Sequence, residues 1–467
     1  MALTIKTKTL STIRFCNAQS NRLCSNETSD DKALGVAPTG QTLRHNHWEL
    51  SLRISDRPRS MTAIRTIHNA QLPDRTGIYR LAIDEHGRIQ TMMQTDEMYQ
   101  SPSPVSTLSK SDSESELDVQ GDWISLGGVD LQINGALGLA FPDLEEHHAE
   151  KLIKICQFLW QQGVDGFLPT VVTTSIANIH RALSVIATVQ KQMAASVQMD
   201  AAKILGVHLE GPCLNPDKRG AHPKEHLQPL TADAIQTVLG DYASTVKVIT
   251  LAPELDPSGT VIPYLRSLGI TVSLGHSQAT AAEANAAFAQ GATMVTHSFN
   301  AMPALHHRKP GLLGAALTHP SVSCGFIADG QHVCPTMLDL LIRSQRGDRP
   351  IRYYRDREQG LFLVSDALSP LGLPDGTYPW DTREIYIQNG TARLEDGTLA
   401  GTTHALFVGA QNLVKWNICD PAEAIALATI APRTAIGEPT LQLGQPANLL
   451  RWSYDDERRS LTWQRIT

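Results

Sequence analysis

The sequence has few cysteines, and no two of them form a CxxC pair. Seven cysteines among 467 residues are an odd number, which argues against a disulfide framework and against a cysteine-rich zinc site. No apolar run reaches the length of about 18 residues that indicates a transmembrane helix. The formal net charge is only −7, unlike that of nucleic-acid-binding or basic membrane-surface proteins. The composition therefore predicts a globular protein of a reducing cytoplasm, with no nucleic-acid or membrane partner.

The first part of the chain lacks the apolar periodicity of the remainder. It contains no apolar h-region, which excludes a secretory signal and leaves a transit-like segment as one alternative. We expect residues 1–60 to be a disordered tail or an over-extended start, with Met61 as the first residue of the folded protein. A second stretch, 101–118, is rich in Ser, Pro and acidic residues and is expected to form a surface loop.

From Trp123 onwards, short apolar runs alternate with longer segments of helical periodicity. The runs expected to be buried strands are 124–131, 164–172, 204–209, 246–251, 270–275, 293–297, 322–328 and 361–365. Eight strand-then-helix units predict an α/β fold, a (β/α)8 TIM-like barrel. A doubly wound open sheet is the structural alternative, but no GxGxxG motif follows any of the runs.

The two ends of the chain are predicted to form a small β-sandwich domain that accompanies the barrel. Residues 61–122 and 436–467 contain alternating apolar residues, which are typical of strands. Residues 123–435 contain the barrel units. Within them, the segment 384–401 has strand residues and two turn signals of the Asn-Gly and Asp-Gly type.

Four predicted strands end in a residue that can bind a metal or transfer a proton. These are Glu210 in GVHLEGPCLN, His276 in SLGHS, His297 in VTHSFNAM and Asp366 in LVSDALS. Each residue alone has a structural explanation, such as a turn, a helix N-cap or a hydrogen-bonded histidine. In this fold, however, the strand ends form the active site. Two imidazoles and a carboxylate are ligands of catalytic zinc, and Asp366 is placed to accept and donate a proton.

Nine segments of the chain match motifs of one known family, in the same order. They are GGVDLQINGALG, FLPTVVTT, GVHLEGPCLN, TLAPE, VSLGHSQAT, THSFNAMPALHHRKPGLLG, FIADGQHV, LVSDA and DGTLAGT. Through these motifs the sequence resembles the N-acetylglucosamine-6-phosphate deacetylases of the amidohydrolase superfamily, from about Gly127 to Gly437. The resemblance implies hydrolysis of the acetamide of N-acetyl-D-glucosamine 6-phosphate to D-glucosamine 6-phosphate and acetate.

The resemblance also implies roles for individual residues. Glu210, His276 and His297 match metal ligands, and Asp366 matches the catalytic acid/base. The residues that match substrate contacts are Ala221, His222, Asn300, Ala301, Arg308, Asp329, Gly330, Gln331, His332, Leu399, Ala400 and Gly401. Of these, His222 is expected to help stabilise the oxyanion of the reaction.

The end of the first barrel strand departs from a common amidohydrolase pattern. Many amidohydrolases carry His-x-His there, which supports two metals, whereas this chain has Gln132-Ile133-Asn134. Neutral amides are poor zinc ligands beside imidazole and carboxylate. The sequence thus resembles the single-metal branch of the family, and we expect one divalent metal per chain, with zinc as the expected ion. Gln132 and Asn134 are expected close to the site as hydrogen-bond partners or, alternatively, as ligands.

A phosphorylated sugar requires an anion site. Arg308 offers a guanidinium group to phosphate oxygens and His332 offers a second donor, although Arg308 is alternatively a solvated charge beside Lys309. By resemblance, Arg308 and His332 reach the site of a neighbouring subunit, which implies a homodimer. His306 and His307 are expected to face solvent.

Two other functions stay open on the sequence alone. A deacetylase of N-acetylgalactosamine 6-phosphate would have the same residues, since the stereochemistry of a hydroxyl cannot be deduced from them. A catalytically silent scaffold is also conceivable, but it is disfavoured because all four strand-end residues are present. The arginine-rich segment 343–360 is expected to be a charged surface excursion.

Overall fold

The computed structural model describes residues 64–95, 115–195, 199–346 and 360–466. The expected tail over 1–60 lies outside the described residues, as do most of the 101–118 stretch and the centre of the 343–360 segment. Within the described part of the chain, no helix is long and apolar enough to cross a membrane.

The strands fall into three groups along the chain. The first precedes the barrel and comprises β1 (Thr66–Leu72), β2 (Arg75–Ile83), β3 (Ile89–Gln94), β4 (Glu116–Asp118) and β5 (Trp123–Leu126). The second runs through the barrel and comprises β6 (Gly128–Ile133), β7 (Gly135–Ala136), β8 (Leu139–Ala140), β9 (Val164–Val172), β10 (Lys203–Ile204), β11 (Val207–Glu210), β12 (Val246–Leu251), β13 (Thr271–Leu274), β14 (Met294–Val295), β15 (Ser323–Phe326) and β16 (Leu361–Leu363). The third comprises β17 (Gly376–Trp380), β18 (Arg383–Gln388), β19 (Thr391–Arg393), β20 (Leu399–Thr402), β21 (Leu449–Asp455) and β22 (Ser460–Arg465).

The helices lie between the barrel strands and after them. The α-helices are α1 (Ala149–Gln161), α2 (Ile176–Ala195), α3 (Ala232–Leu239), α4 (Val261–Ser267), α5 (Ala281–Ala289), α6 (Gly311–Thr318), α7 (Pro335–Arg346), α8 (Leu406–Lys415), α9 (Pro421–Thr429) and α10 (Ala431–Ala435). Short 3-10 helices are found at Phe141–Asp143, Glu146–His148, Pro216–Lys218, Lys224–His226, Gly240–Thr245 and Pro253–Leu255. Local sequence sets several helix starts, because the Thr280 and Asp420 side chains accept hydrogen bonds from first-turn N–H groups.

Eight parallel strands form a nearly closed barrel, as the sequence predicts. Their order is β6, β9, β11, β12, β13, β14, β15 and β16. The chain that follows β16 continues the ring back to β6, where Asp366 N donates to Gln132 O at 2.9 Å and Asn134 N donates to Ala367 O at 2.7 Å. Because the strands are parallel, their C-terminal ends all meet at one mouth of the barrel.

The first barrel strand differs from the expected one. The apolar run over 124–131 is divided between two strands: β5 pairs with β21, and β6 pairs with β9. Gly127 lies at the junction, where a Cβ atom would collide with the Asp165 carboxylate and the Gly163 carbonyl. Both strands are buried, so they use the same residue types, and hydrophobicity alone does not reveal the break between them.

Described strands from before and after the barrel form one small β-domain, which confirms the predicted fold class. Its strands follow the order β22, β21, β5, β1, β2, β3, and β4 pairs with β1. A separate hydrophobic core of this domain includes Ile67, Leu72, Leu81, Ile124 and Leu449. The exact domain boundaries stay a prediction.

A third sheet lies between β16 and α8. It is antiparallel, with the order β17, β18, β19, β20, and we name it the mouth sheet. Trp380, Ile385 and Ile387 pack against Leu368 in a small core of their own. This core holds the mouth sheet against the segment that follows Asp366.

Candidate active site

The mouth of the barrel opens into a cavity of about 560 Å³. Glu210, His276, His297 and Asp366 all line this cavity, and each is buried. The structure therefore brings together the four strand-end residues that the sequence singles out.

Three of these four residues have unusual backbone conformations. His276, His297 and Asp366 have φ angles of +49°, +26° and +47°, in the region that side chains with a Cβ rarely adopt. Each follows a short barrel strand, so the backbone turns sharply where the strand ends. Such conformations cost free energy and concentrate at functional sites, where the surrounding structure holds them in place.

The ligand atoms of Glu210, His276 and His297 converge on one point. Glu210 Oε1 lies 3.1 Å from His276 Nε2 and 3.0 Å from His297 Nε2, and the two ring nitrogens are 2.9 Å apart. His276 Nδ1 faces the Lys218 carbonyl at 2.8 Å, so Nδ1 carries the hydrogen and Nε2 presents a lone pair. A carboxylate oxygen and two imidazole nitrogens in this arrangement fit a divalent cation.

The same convergence determines the protonation of Glu210. Burial alone would raise its pKa, but the His276 and His297 rings beside Oε1 hold the pKa of Glu210 well below its usual range. The carboxylate therefore stays charged, as a metal ligand must.

His222 lies next to this set of atoms. Its ligand atom lies within 4.8 Å of those of Glu210 and His276, a spacing that fits a metal only if that ring nitrogen carries no hydrogen. Its Nδ1 accepts a hydrogen bond from Thr173 N at 3.3 Å and lies 2.9 Å from Thr173 Oγ1. The other nitrogen, Nε2, then carries the hydrogen. Burial lowers the pKa of His222 to about 3, so a neutral ring can donate Nε2–H into the cavity.

Asp366 is held by the two amides of the first barrel strand. Asn134 Nδ2 donates to Asp366 Oδ1 at 2.8 Å, and Gln132 Nε2 lies 2.9 Å from Glu210 Oε1 and 3.3 Å from Asp366 Oδ1. Both amides thus face the carboxylates as hydrogen-bond donors. Burial, followed by the negative charge of Glu210, raises the pKa of Asp366 to about 7.

The remaining sequence-predicted residues divide into two groups. Those that line the cavity are Ala221, His222, Asn300, Ala301, His332, Leu399 and Ala400, together with Asn134. The described lining does not include Gln132, Arg308, Asp329, Gly330, Gln331 or Gly401. Two of these residues lie directly behind the lining. Asp329 Oδ2 accepts from His332 Nδ1 at 2.7 Å. Gly401 packs closely against Asp366, since a Cβ at this position would lie 2.7 Å from Asp366 O. Arg308 is exposed, and its guanidinium contacts His307 at 2.6 Å.

The mouth sheet adds lining residues that the sequence analysis missed. Trp380, Asp381 and Thr382 reach the cavity from the β17–β18 turn. Arg383 Nη2 donates to Ala221 O at 2.7 Å and so connects the mouth sheet to the loop that carries His222. The turn signals of this segment indicate strands, but nothing in them indicates that the sheet folds over the mouth.

The comparisons with known proteins agree with this geometry. No family model matches the chain. The chain is 34% identical to an N-acetylglucosamine-6-phosphate deacetylase of Bos taurus over 71% of its own length and 80% of the relative. It is 32% identical to an N-acetylgalactosamine-6-phosphate deacetylase of Escherichia coli O157:H7, over 66% and 77%. The crystal structure of N-acetylglucosamine-6-phosphate deacetylase from Pasteurella multocida superposes with a TM-score of 0.68 at 25% identity, over 86% of this chain and 99% of that one.

A barrel whose strand ends gather a carboxylate, imidazoles and a buried Asp defines a metal-dependent hydrolase of the amidohydrolase class. Within this class, the extent and identity of the Bos taurus match decide the family. The chain belongs to the N-acetylglucosamine-6-phosphate deacetylase family.

Proposed function

We propose that this protein hydrolyses the acetamide of N-acetyl-D-glucosamine 6-phosphate to D-glucosamine 6-phosphate and acetate. The observation that carries the proposal is the placement of buried Asp366 beside the convergent atoms of Glu210, His276 and His297. Family membership selects this substrate from the many that such a barrel accommodates.

One divalent metal per chain belongs to the proposal, with zinc as the ion. Glu210 Oε1 and the Nε2 atoms of His276 and His297 would hold it, because a mixed carboxylate and imidazole set suits zinc. A bound zinc ion polarises a carbonyl and lowers the pKa of water.

Asp366 is the acid/base of the proposed reaction. Its carboxylate accepts a proton from the attacking water while the water oxygen adds to the acetamide carbon. His222 Nε2–H is placed to donate a hydrogen bond to the oxyanion that forms. Asp366 then returns the proton to the nitrogen, the C–N bond breaks, and the amine and acetate leave. Asn134 and Gln132 keep the carboxylate oriented through both steps.

The phosphate and sugar sites are proposed from the rest of the lining. His332, fixed by Asp329, would donate to the phosphate within the cavity. Arg308 is exposed and outside the lining of its own cavity, which suits contact with the site of a second copy, so we include a homodimer in the proposal. The main chain around Gly330 and Gln331 would support the phosphate site. Sugar contacts are assigned to Ala221, Asn300, Ala301, Leu399 and Ala400, which line the cavity, and to Gly401 next to them.

A cytoplasmic location is part of the proposal. The cysteines of the described residues are all free thiols, and four of them are buried. Burial raises the pKa of Cys156, Cys213 and Cys324 to about 12, so these thiols behave as small apolar side chains. Thiols of this kind suit a reducing compartment.

The proposal is tested by acetate release from N-acetylglucosamine 6-phosphate, with the metal content measured on the same sample. We expect acetate release that disappears with a chelator and returns when about one zinc ion per chain is added. Folded, zinc-loaded protein that releases no acetate would disprove the substrate assignment.

The galactosamine epimer is the second candidate, because one relative carries that name. The same assay with N-acetylgalactosamine 6-phosphate decides between the two sugars. We expect the larger kcat/KM for the glucosamine substrate, and the reverse order would reassign the enzyme.

A further inference from the structure

Glu254 is the last residue of the TLAPE segment, which the proposed mechanism does not use. It follows β12, and its carboxylate accepts three hydrogen bonds from two neighbouring loops. Oε1 accepts from Asn215 Nδ2 at 2.9 Å and from Gln278 N at 2.5 Å, and Oε2 accepts from Ser277 Oγ at 2.7 Å. One side chain therefore connects the loop after β11 to the loop after β13.

The hydrogen bonds of Glu254 with Ser277 and Gln278 hold the backbone of His276. Ser277 and Gln278 follow His276 directly, and His276 has a φ angle of +49°. A left-handed conformation at a histidine persists only where its surroundings over-determine it. Glu254 contributes to this by fixing both residues that follow the turn.

The hydrogen bond between Glu254 and Asn215 orients the ring of His276. Asn215 Oδ1 accepts from Asp217 N at 2.9 Å and caps the 3-10 helix Pro216–Lys218. The carbonyl of Lys218 at the end of this helix accepts the Nδ1–H of His276 at 2.8 Å. That hydrogen bond selects the tautomer whose Nε2 lone pair faces Glu210 Oε1.

We infer that Glu254 is a positioning residue for the metal site, acting on His276 through its backbone and through its ring. Glu254 does not line the described cavity, so it touches neither the substrate nor the metal. The inference rests on the metal-binding part of the proposed function and is independent of the identity of the sugar.

The test is the dissociation constant of Zn²⁺, measured by competition with a chromogenic chelator on the full chain. Losing an outer partner of a metal-ligating histidine typically weakens metal affinity by about 10- to 100-fold, and we expect this loss in Glu254→Ala. Glu254→Gln keeps one acceptor oxygen, and we expect a smaller loss, below the lower limit of about 10-fold for a lost partner. In both variants excess Zn²⁺ should restore kcat, and KM should be unchanged.

Asp256→Asn is the matched control. Asp256 lies in the same loop and accepts hydrogen bonds from Ser258 and Gly259 of that loop and from Val261 at the start of α4. It makes no described hydrogen bond to the loops around His276. We expect unaltered Zn²⁺ affinity in this variant. Equal affinities for Asp256→Asn and Glu254→Gln would overturn the inference, even if Glu254→Ala does not fold.

A pair of variants separates positioning from general stability. Asn215→Ala removes only the route from Glu254 through Asn215 to the His276 ring. Glu254→Ala already removes this route, so the double variant should lose less Zn²⁺ affinity than the sum of the two single losses. Thermal unfolding of each metal-free variant is measured alongside, so that a loss of Zn²⁺ affinity is assigned to positioning only where the variant is folded at the assay temperature. Additive losses of Zn²⁺ affinity would contradict the inference that Glu254 and Asn215 act on His276 through the same hydrogen bonds. Since no sugar is needed, absence of deacetylation by the unaltered protein would refute the substrate assignment and leave these results valid.

Discussion

Single residues at the strand ends combine backbone strain with buried charge. Positive φ angles at His276, His297 and Asp366 cost of order 1–3 kcal/mol each. Glu210 and Asp366 add two carboxylates to a buried site, where their side chains face amides and imidazoles. Stability would favour replacing such groups, so their presence together is best explained by chemistry that needs them.

Replacing Asp366 by Asn should abolish turnover without loss of metal. The amide keeps the size of the side chain but cannot accept the proton of the attacking water. General acid/base groups contribute about 10²- to 10⁴-fold, so kcat should fall by at least about 100-fold. The measurement is acetate release with metal analysis of the same protein. Asp339→Asn, on the surface of α7 where it pairs with Arg343, is the control. Normal turnover by Asp366→Asn would remove Asp366 from the mechanism.

Asp366 should also make the stability of the metal-free protein depend on pH. Its pKa is raised from 3.8 to about 7 on folding, so the folded state binds more protons between these values. The stabilisation is complete below the unfolded pKa and is lost as the pH rises through the folded pKa. The Asn side chain does not titrate, so Asp366→Asn does not show this loss of stability with rising pH. A shift of one pKa unit corresponds to about 1.4 kcal/mol. The stability of Asp366→Asn relative to the unaltered protein should therefore increase by at least about 1.4 kcal/mol between about pH 5 and about pH 8.

Urea unfolding of chelator-treated protein measures this difference. The control is again Asp339→Asn, whose stability relative to the unaltered protein should not follow the same pH profile. A flat difference for Asp366→Asn would show that the raised pKa is not realised in the folded chain.

The strand-end residues could be predicted from the sequence because apolar runs locate strand ends, and strand ends meet at one mouth. Residues that reach the mouth from elsewhere could not be found in this way. Arg383 approaches Ala221 across a sequence separation of 162, and no local pattern encodes such a distance. Arg308 differs from these residues, because its expected role depends on contact with a second copy of the chain and not on its own cavity.

At the scale of elements, the mouth sheet determines the shape of the cavity. Its β17–β18 turn supplies Trp380, Asp381 and Thr382 to the lining, and its own small core holds the sheet in place. In the proposed function, the barrel supplies the reacting groups, whereas this inserted sheet supplies part of the wall around the substrate.

Removing the guanidinium of Arg383 should affect substrate binding more than catalysis. Arg383 Nη2 is the group that donates to Ala221 O, so Arg383→Ala releases the loop next to His222. We expect KM to rise by about 3- to 30-fold, since a hydrogen bond from a charged donor contributes about 1.5–3 kcal/mol at most, and kcat to change less. Arg393→Ala is the control from the same sheet, because Arg393 donates to Gly397 O within its own hairpin. Equal effects in both variants would show that only the stability of the sheet matters.

Element boundaries were harder to predict than element types. The run over 124–131 satisfies the pattern of one buried strand, yet it supplies β5 to the terminal sheet and β6 to the barrel. The turn between them is set by the crowding of Gly127 against Asp165, which is a contact between distant parts of the chain. Patterns of apolar residues report burial, and burial is the same on both sides of this turn.

At the scale of the whole molecule, Asp165 joins the barrel to the C-terminal part of the chain. It lies in β9, and its carboxylate accepts hydrogen bonds from Gly127 N at 2.8 Å, Arg433 Nη2 at 3.0 Å and Arg465 Nη1 at 3.0 Å. The Arg465 guanidinium also lies 3.4 Å above the Trp160 ring. The last strand of the chain, β22, is therefore anchored on the barrel by one shared carboxylate.

Replacing Asp165 by Ala should destabilise the whole fold without altering the chemistry at the mouth. It leaves two largely buried guanidinium groups without their common partner, and breaking a buried ion pair typically costs about 3–5 kcal/mol. Asp455→Ala is the control, because it breaks an exposed pair with Arg458, and such pairs contribute about 1 kcal/mol or less. Urea unfolding of both variants measures the difference, and kcat of the folded Asp165→Ala protein should match that of the unaltered one. If the two variants lose equal stability, the C-terminal strand is held by its apolar contacts with the barrel rather than by Asp165.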